Sequence, residues 1–249
     1  MWSGHKVAVY TGTRNMYRYM PAAVKSLLAN SDVDDIWLLI EDDEFPKEYN
    51  LPECIHTRNL SNQKYFPKDG PNFNSGWTYM ALIRAALYKE FPDLDRVLSL
   101  DVDTIVVKDI SAIWNLPLED KYYFAASDEV DTSFKWSKKL EKKFLYTNVG
   151  VCLMNLEKFR DGTGDRIIEE LNTVPKEFLE QETMNTICQG SILELDSKYN
   201  AQRYTKHTDY PHIVHYCGYW EWDDQPLFKT WNEAPWENVL KYRKRIYNK

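Results

Sequence analysis

A chain of 249 residues with 43% hydrophobic residues can bury a large core and fits one large α/β domain. A formal charge of −7 leaves no basic surplus to neutralise phosphates, which argues against duplex nucleic acid as the main partner, so an anionic small ligand would need a local cation. The four cysteines, Cys54, Cys152, Cys188 and Cys217, show no C-x-x-C spacing and are expected to be reduced. No apolar run approaches the roughly 20 residues of a membrane span, and MWSGHKVAV enters a strand without a signal-peptide core. A soluble, cytoplasmic protein is expected, in its own cell or in a host.

In chain order, the sequence predicts a strand over Val7–Tyr10, a turn over Thr11–Asn15 and a helix over Met20–Leu28, with Pro21 in its first turn. A loop between a first strand and a helix is where α/β folds place a nucleotide. Thr11, Gly12, Thr13 and Asn15 supply small groups and backbone donors, and Tyr17 or Tyr19 could lie against a base; a plain turn with core-covering tyrosines reads equally well. A second strand follows at Asp35–Ile40, then the acidic residues 41–44, read as a solvated loop, and an irregular connection over 50–76. Trp77–Phe91 reads as a helix whose apolar stripe carries a single charge, Arg84. A buried arginine needs an anionic partner, either an internal carboxylate such as Asp101 or a bound ligand.

The stretch Val97–Val107, VLSLDVDTIVV, is the most informative. Asp101 and Asp103 interrupt a β-branched run that otherwise looks like a buried strand, and residues two apart on a strand point the same way. Burying an unpaired carboxylate costs several kcal/mol, so the pair calls for a cation or a strand end open to water. Asp101-Val102-Asp103 thus offers two hard oxygen ligands to one Mg²⁺ or Mn²⁺ ion, or is an acidic turn.

Further on, Lys108–Asn115 reads as a short helix start, Tyr122–Ser127 as a strand and 131–143 as a lysine-rich surface excursion. Thr147–Leu156 returns as a buried strand with Asn148 and Gly150 at its mouth, suited to a sugar hydroxyl or to a bulge with a capped turn. The segment 161–165 is a turn, and helices are expected over Arg166–Asn172 and Glu180–Gln189. Negative charge in the first turn of the latter, at Glu180 and Glu182, is explained by the helix dipole alone. Ile192–Asp196 is another strand. His215, in the apolar stretch His212–Gly218, is a candidate third metal ligand, since imidazole is tolerated by Mn²⁺. The aromatic residues Tyr216, Tyr219, Trp220, Trp222, Phe228, Trp231 and Trp236 suit either sugar stacking or sealing of the core.

VLSLDVDTIVV, TNVGVCLMNL, EQETMN, LDSKYN and HYCG occur in an order and spacing that resemble the family 8 retaining glycosyltransferases, the lipopolysaccharide galactosyl- and glucosyltransferase and glycogenin-like group, over residues 7–222. The resemblance implies a single GT-A domain with a mostly parallel central sheet flanked by helices, residues 219–249 forming an aromatic and basic tail packed on it. It implies a UDP-hexose or similar nucleotide-sugar donor, a glycan or glycoconjugate acceptor, and Mn²⁺ (or Mg²⁺) on Asp101, Asp103 and His215. It also implies a donor contact at Arg84, a phosphate contact at Gly218, and catalytic roles for Asn148, Glu180 and Gln181, which join Thr11, Gly12, Thr13, Asn15 and Tyr17 of the first loop and Val102 as candidate donor-binding residues. Two departures stand out. Asn15 is followed by Met16 where the family has tyrosine, and Glu221 stands where it has a phosphate-contacting lysine, leaving Lys229 as an alternative cation. The basic tail KYRKRIYNK could brush an anionic membrane weakly, or be a solvated helix end. The competing functions are a sugar nucleotidyltransferase, which should carry a Gly-rich basic loop near the N-terminus, and a non-catalytic carbohydrate-binding module using the aromatic tail.

Overall fold

The computed structural model describes residues 4–202, 210–218 and 221–249. The chain runs β1 (Val7–Thr11), α1 (Met20–Ala29), β2 (Asp35–Ile40), β3 (Ile55–Asn59), α2 (Leu87–Glu90), β4 (Arg96–Leu100), β5 (Thr104–Val106) and β6 (Phe124–Asp128). It continues through α3 (Val130–Leu140), β7 (Thr147–Asn155), α4 (Leu156–Phe159), α5 (Thr163–Thr173), α6 (Leu179–Ile187), β8 (Ile192–Glu194), β9 (Ala201–Gln202), β10 (Ile213–His215), α7 (Pro226–Glu233) and α8 (Trp236–Tyr247). Contacts divide it into two compact units, one of residues 1–5, Asn62–Ser99 and Pro117–Leu195, the other of Lys6–Ser61, Leu100–Leu116 and Asp196–Lys249.

In the second unit β1 pairs in parallel with β2, and β2 in parallel with β3. The continuous apolar runs of β1 and β2 fit strands covered on both faces. Helix α1 is buried along its whole length and packs against α7 and α8. Two of its polar residues are satisfied inside: Ser26 Oγ donates to Ala23 O and accepts from Val106 N of β5, and Lys25 Nζ donates to Asn232 O at 3.1 Å. Burial lowers the Lys25 pKa. A separate small sheet, ordered β5-β10-β9, pairs β10 antiparallel to β5 and parallel to β9.

In the first unit the strands follow the order β4-β7-β6-β8, with β6 antiparallel to β7 and parallel to β8. The register of β6 on β7 jumps from Ala126↔Cys152 to Ser127↔Asn148, so the bulge read as one alternative at Asn148 and Gly150 is present. Close packing of α5 depends on Gly164, where a Cβ would fall 2.4 Å from the Tyr88 ring.

Several expectations are corrected. Val97–Val107 is two strands, β4 and β5, in different sheets, separated by a turn at Asp101–Asp103. A polar strand, β3, lies inside the supposed irregular segment 50–76. The helix expected over Trp77–Phe91 is mostly a 3-10 helix, Tyr79–Ala86, followed by the one turn of α2. The lysine-rich excursion is helix α3.

Candidate active site

The metal-ligating candidates meet in the second unit. β4 ends at Leu100, and the turn that follows is closed by Thr104, whose N and Oγ1 both donate to Asp101 O, at 3.2 and 2.7 Å. This turn, rather than strand alternation, brings the two carboxylates to the same side. Val102 between them is buried. From the far end of the chain, β10 lies antiparallel to β5 with His215 opposite Thr104, and Tyr216 N extends the ladder to Asp103 O at 2.9 Å. Ligand atoms of Asp101, Asp103 and His215 consequently lie within 4.8 Å of one another.

The imidazole is fixed from behind. His215 Nδ1 lies 2.9 Å from the buried Asn200 Oδ1, an acceptor only, so with the amide oriented in this way Nδ1 carries the proton. His215 Nε2 then faces Asp103 Oδ1 at 3.2 Å and Asp101 Oδ2 at 3.7 Å. A neutral imidazole would turn its lone pair on two carboxylates, an arrangement that a divalent cation converts from repulsion into ligation. The donor set of two carboxylates and one imidazole therefore fits Mn²⁺ or Mg²⁺. Sequence reasoning misses Asn200, which enters it only within LDSKYN.

The loop after β1 belongs to the same unit. Gly12 N donates to Leu39 O at 3.1 Å, and a Cβ there would meet Met20 Cε at 2.7 Å, so a larger residue would push the Met20 side chain aside. The Thr13 hydroxyl donates to Asn15 Oδ1. The acidic segment 41–44 is more than a solvated loop. Asp42 binds the Arg14 guanidinium with three contacts of 2.6–2.9 Å and accepts from Tyr17 OH at 3.1 Å, while Tyr17 OH accepts from Glu41 N at 2.8 Å. The Arg14 guanidinium holds the Asp42 carboxyl below its usual range, and burial, chiefly, pushes the Tyr17 hydroxyl up to about 12. Tyr17 is buried against Phe45, with ring centroids 5.1 Å apart. Gly218 takes φ +78°, a left-handed conformation natural to glycine.

Tyr19 packs in the core with Ala22, Ile105, Tyr216 and Phe228, and Trp222 and Trp231 lie against this cluster. Of the two readings of the aromatic tail, sealing the core holds for these residues; Tyr219 and Trp220 lie outside the described residues. Lys229, offered as a substitute cation, pairs at the surface with Asp224 at 3.5 Å.

A second group of predicted residues is gathered in the first unit. Arg84 and Glu180, each 3% exposed, form an ion pair, and Arg84 Nε donates to Ser99 Oγ at 3.1 Å. A carboxylate that binds a buried guanidinium is suited to orienting it. Asn148 Nδ2 donates to Glu129 Oε1 at 3.0 Å, and its Oδ1 accepts from Gly150 N. Gln181 Oε1 accepts from Val149 N at 3.2 Å, and its Nε2 lies 3.5 Å from Tyr146 OH. Gln181 follows Leu179, whose φ of +43° is unusual for a branched residue and turns the chain into α6. All four cysteines are free, as expected; Cys152 and Cys188 are buried, and burial pushes the Cys188 thiol up to about 12.

The fold is that of the GT-A glycosyltransferases. It superimposes on a crystal structure of the galactosyltransferase LgtC in complex with donor and acceptor sugar analogues with a TM-score of 0.70 and 20% identity, covering 93% of this chain and 98% of that one. The sequence matches the family described as "Glycosyl transferase family 8" over residues 9–225, and the chain belongs to that family. It is similar to a putative glycosyltransferase of Haemophilus influenzae, 26% identical over 144 residues, covering 53% of this chain and 43% of that protein. It is also similar to general stress protein A of Bacillus subtilis, 25% identical over 190 residues, covering 65% of this chain and 62% of that protein. The chain thus spans less than two thirds of the length of either relative.

Proposed function

We propose that this chain is a Mn²⁺- or Mg²⁺-dependent retaining glycosyltransferase that moves a hexose from a nucleotide-diphosphate sugar, a UDP-hexose, to a hydroxyl of a glycan or glycoconjugate. The convergence of Asp101, Asp103 and an imidazole held in one tautomer carries this reading. Those three residues would hold the cation, which when bound supplies positive charge to a departing diphosphate. Thr11, Gly12, Thr13, Asn15, Tyr17 and the Val102 backbone are assigned to the nucleoside, and Gly218 to phosphate. Arg84 is assigned to the donor, with Glu180 orienting it. Asn148 and Gln181 are assigned to the sugar. Gln181 carries a neutral amide, a poor nucleophile, so its role is to support the electron-poor anomeric carbon. The bond from that carbon to the phosphate oxygen breaks, the bond to the acceptor oxygen forms on the same face, and the acceptor proton passes to the leaving phosphate oxygen.

The nucleotidyltransferase alternative is weakened by Arg14, whose guanidinium is taken by Asp42 rather than offered to a triphosphate. A carbohydrate-binding module on the tail is weakened by the packing of its aromatic residues into the core. The test is a screen of nucleotide-sugars for Mn²⁺-dependent donor hydrolysis, with Asp103→Ala as the comparison. Asp103→Ala should lose metal-dependent UDP binding while keeping the wild-type circular dichroism spectrum. Equal Mn²⁺ dependence of UDP binding in the two proteins would refute the metal assignment, and pyrophosphate release from a nucleoside triphosphate and a sugar phosphate would favour the nucleotidyltransferase.

A further inference from the structure

Helix α3 buries little of itself. Ser133 is buried and Trp136 and Ser137 are half-buried, which marks its inner face; Trp136 stacks on Phe144 and Tyr146 with centroids 5.2 and 6.2 Å apart. At about 100° per residue, Val130, Phe134 and Lys138 follow one another up the outer face, with Lys135 and Lys139 on the adjoining stripe. Val130 is 67% and Phe134 68% exposed, the highest values for large apolar residues among the described residues of this unit. Five lysines, at 135, 138, 139, 142 and 143, are exposed within nine positions, against only Asp131 and Glu141 nearby on the outer side, in a chain whose net charge is −7. Lys139 also lies over the Trp136 ring, 4.9 Å from its centroid.

We propose that α3 is a docking face for an anionic phospholipid bilayer. A short apolar row bordered by cations matches the layering of a membrane surface, where Phe134 and Val130 would enter the boundary between headgroups and acyl chains. The lysine stems would lie alongside them and carry their ammonium groups to the lipid phosphates. Charge complementarity selects this occupant, since the lysines concentrate positive charge in a protein that is acidic overall. The helix is also tied to predicted site residues. Glu129, immediately before it, accepts from Asn148 Nδ2 at 3.0 Å and from Thr132 Oγ1 at 3.1 Å, and Ser133 N donates to Glu129 O at 2.8 Å. Docking through α3 would therefore hold Asn148 close to the lipid surface and favour an acceptor carried on a lipid. That last consequence rests on the proposed transferase activity, whereas docking does not.

The test is co-sedimentation of the full chain with phosphatidylcholine vesicles, with and without about one-third phosphatidylglycerol. The protein should sediment with the anionic vesicles only, and less so as salt rises from about 0.05 to 0.5 M. Lys135→Glu/Lys138→Glu/Lys142→Glu should weaken partitioning at least ~30-fold. Phe134→Ser should weaken it ~10-fold with an unchanged salt slope. Both variants should melt at the wild-type temperature, which separates lost docking from lost folding. Wild-type protein left in the supernatant with anionic vesicles would overturn the proposal. So would α3 variants that partition like wild type, or a loss produced only by Lys241→Glu/Lys244→Glu/Arg245→Glu in α8.

Discussion

Replacing Asn200 isolates what the support behind the candidate metal-ligating histidine contributes. Asn200 and His215 are both buried and joined by a 2.9 Å contact, so Asn200→Ala removes the acceptor that faces Nδ1 and loosens the orientation of the imidazole. Loss of the partner behind a metal-ligating imidazole costs about 10- to 100-fold in metal affinity, or about 1.4–2.8 kcal/mol. Loss of this buried hydrogen bond adds about 1–3 kcal/mol of lost stability independently of metal. Mn²⁺ titration in the presence of UDP, followed by calorimetry, reads the first effect, and urea denaturation with chelator present reads the second. Asn200→Asp keeps an acceptor facing Nδ1 and should retain or tighten metal binding. Wild-type Mn²⁺ affinity in Asn200→Ala, or equal loss in both variants, would refute the tautomer argument.

Three further outcomes are expected. Glu180→Ala removes the carboxylate paired with the buried Arg84 guanidinium and should destabilise the fold by about 3–5 kcal/mol in urea denaturation, whereas a surface pair would cost under about 1 kcal/mol. Gln181→Ala should lower turnover ~10–100-fold with UDP affinity close to wild type, and proton NMR of the first product from an α-linked donor should show an α-anomeric signal; an early β signal would end the retaining assignment. Asp165 accepts from Lys89 and Tyr88, which hold its carboxyl below the usual range, so its stabilising effect is present at neutral pH and is lost as pH falls from about 4 through the folded-state value. Asp165→Asn should therefore cost under about 1 kcal/mol at pH 7 and nothing measurable once the pH has fallen below the folded-state value, and a penalty that persisted in acid would contradict this ion pair.

The parts of the fold written in local pattern were legible in the sequence. The apolar runs of β1, β2 and β7 and the placement of Pro21 in α1 announce themselves, because burial on both faces demands such composition. β3 escaped because IHTRN, with only Ile55 fully buried, has the composition of a loop, and its strand character comes from pairing with β2. The run 97–107 reads as one strand because apolarity does not record the break at Asp101–Asp103, which depends on two hydrogen bonds from Thr104. At the candidate site, residue types identified Asp101, Asp103 and His215. Asn200 and Asp42 act through the orientation of a neighbour, and that depends on distances which sequence spacing does not carry.

The pairing of β10 with β5 also sets an order in time. His215 is made more than a hundred residues after Asp103, so at roughly 5–20 residues per second a ribosome spends about 5 to 20 s with both carboxylates complete and their imidazole not yet synthesised. During that interval the chain carries two of the three proposed ligands and not the third. The proposed cation-binding trio is therefore a late product of synthesis, and a chain terminated before Ile213 would contain β1, α1 and β5 but would lack the strand that supplies His215.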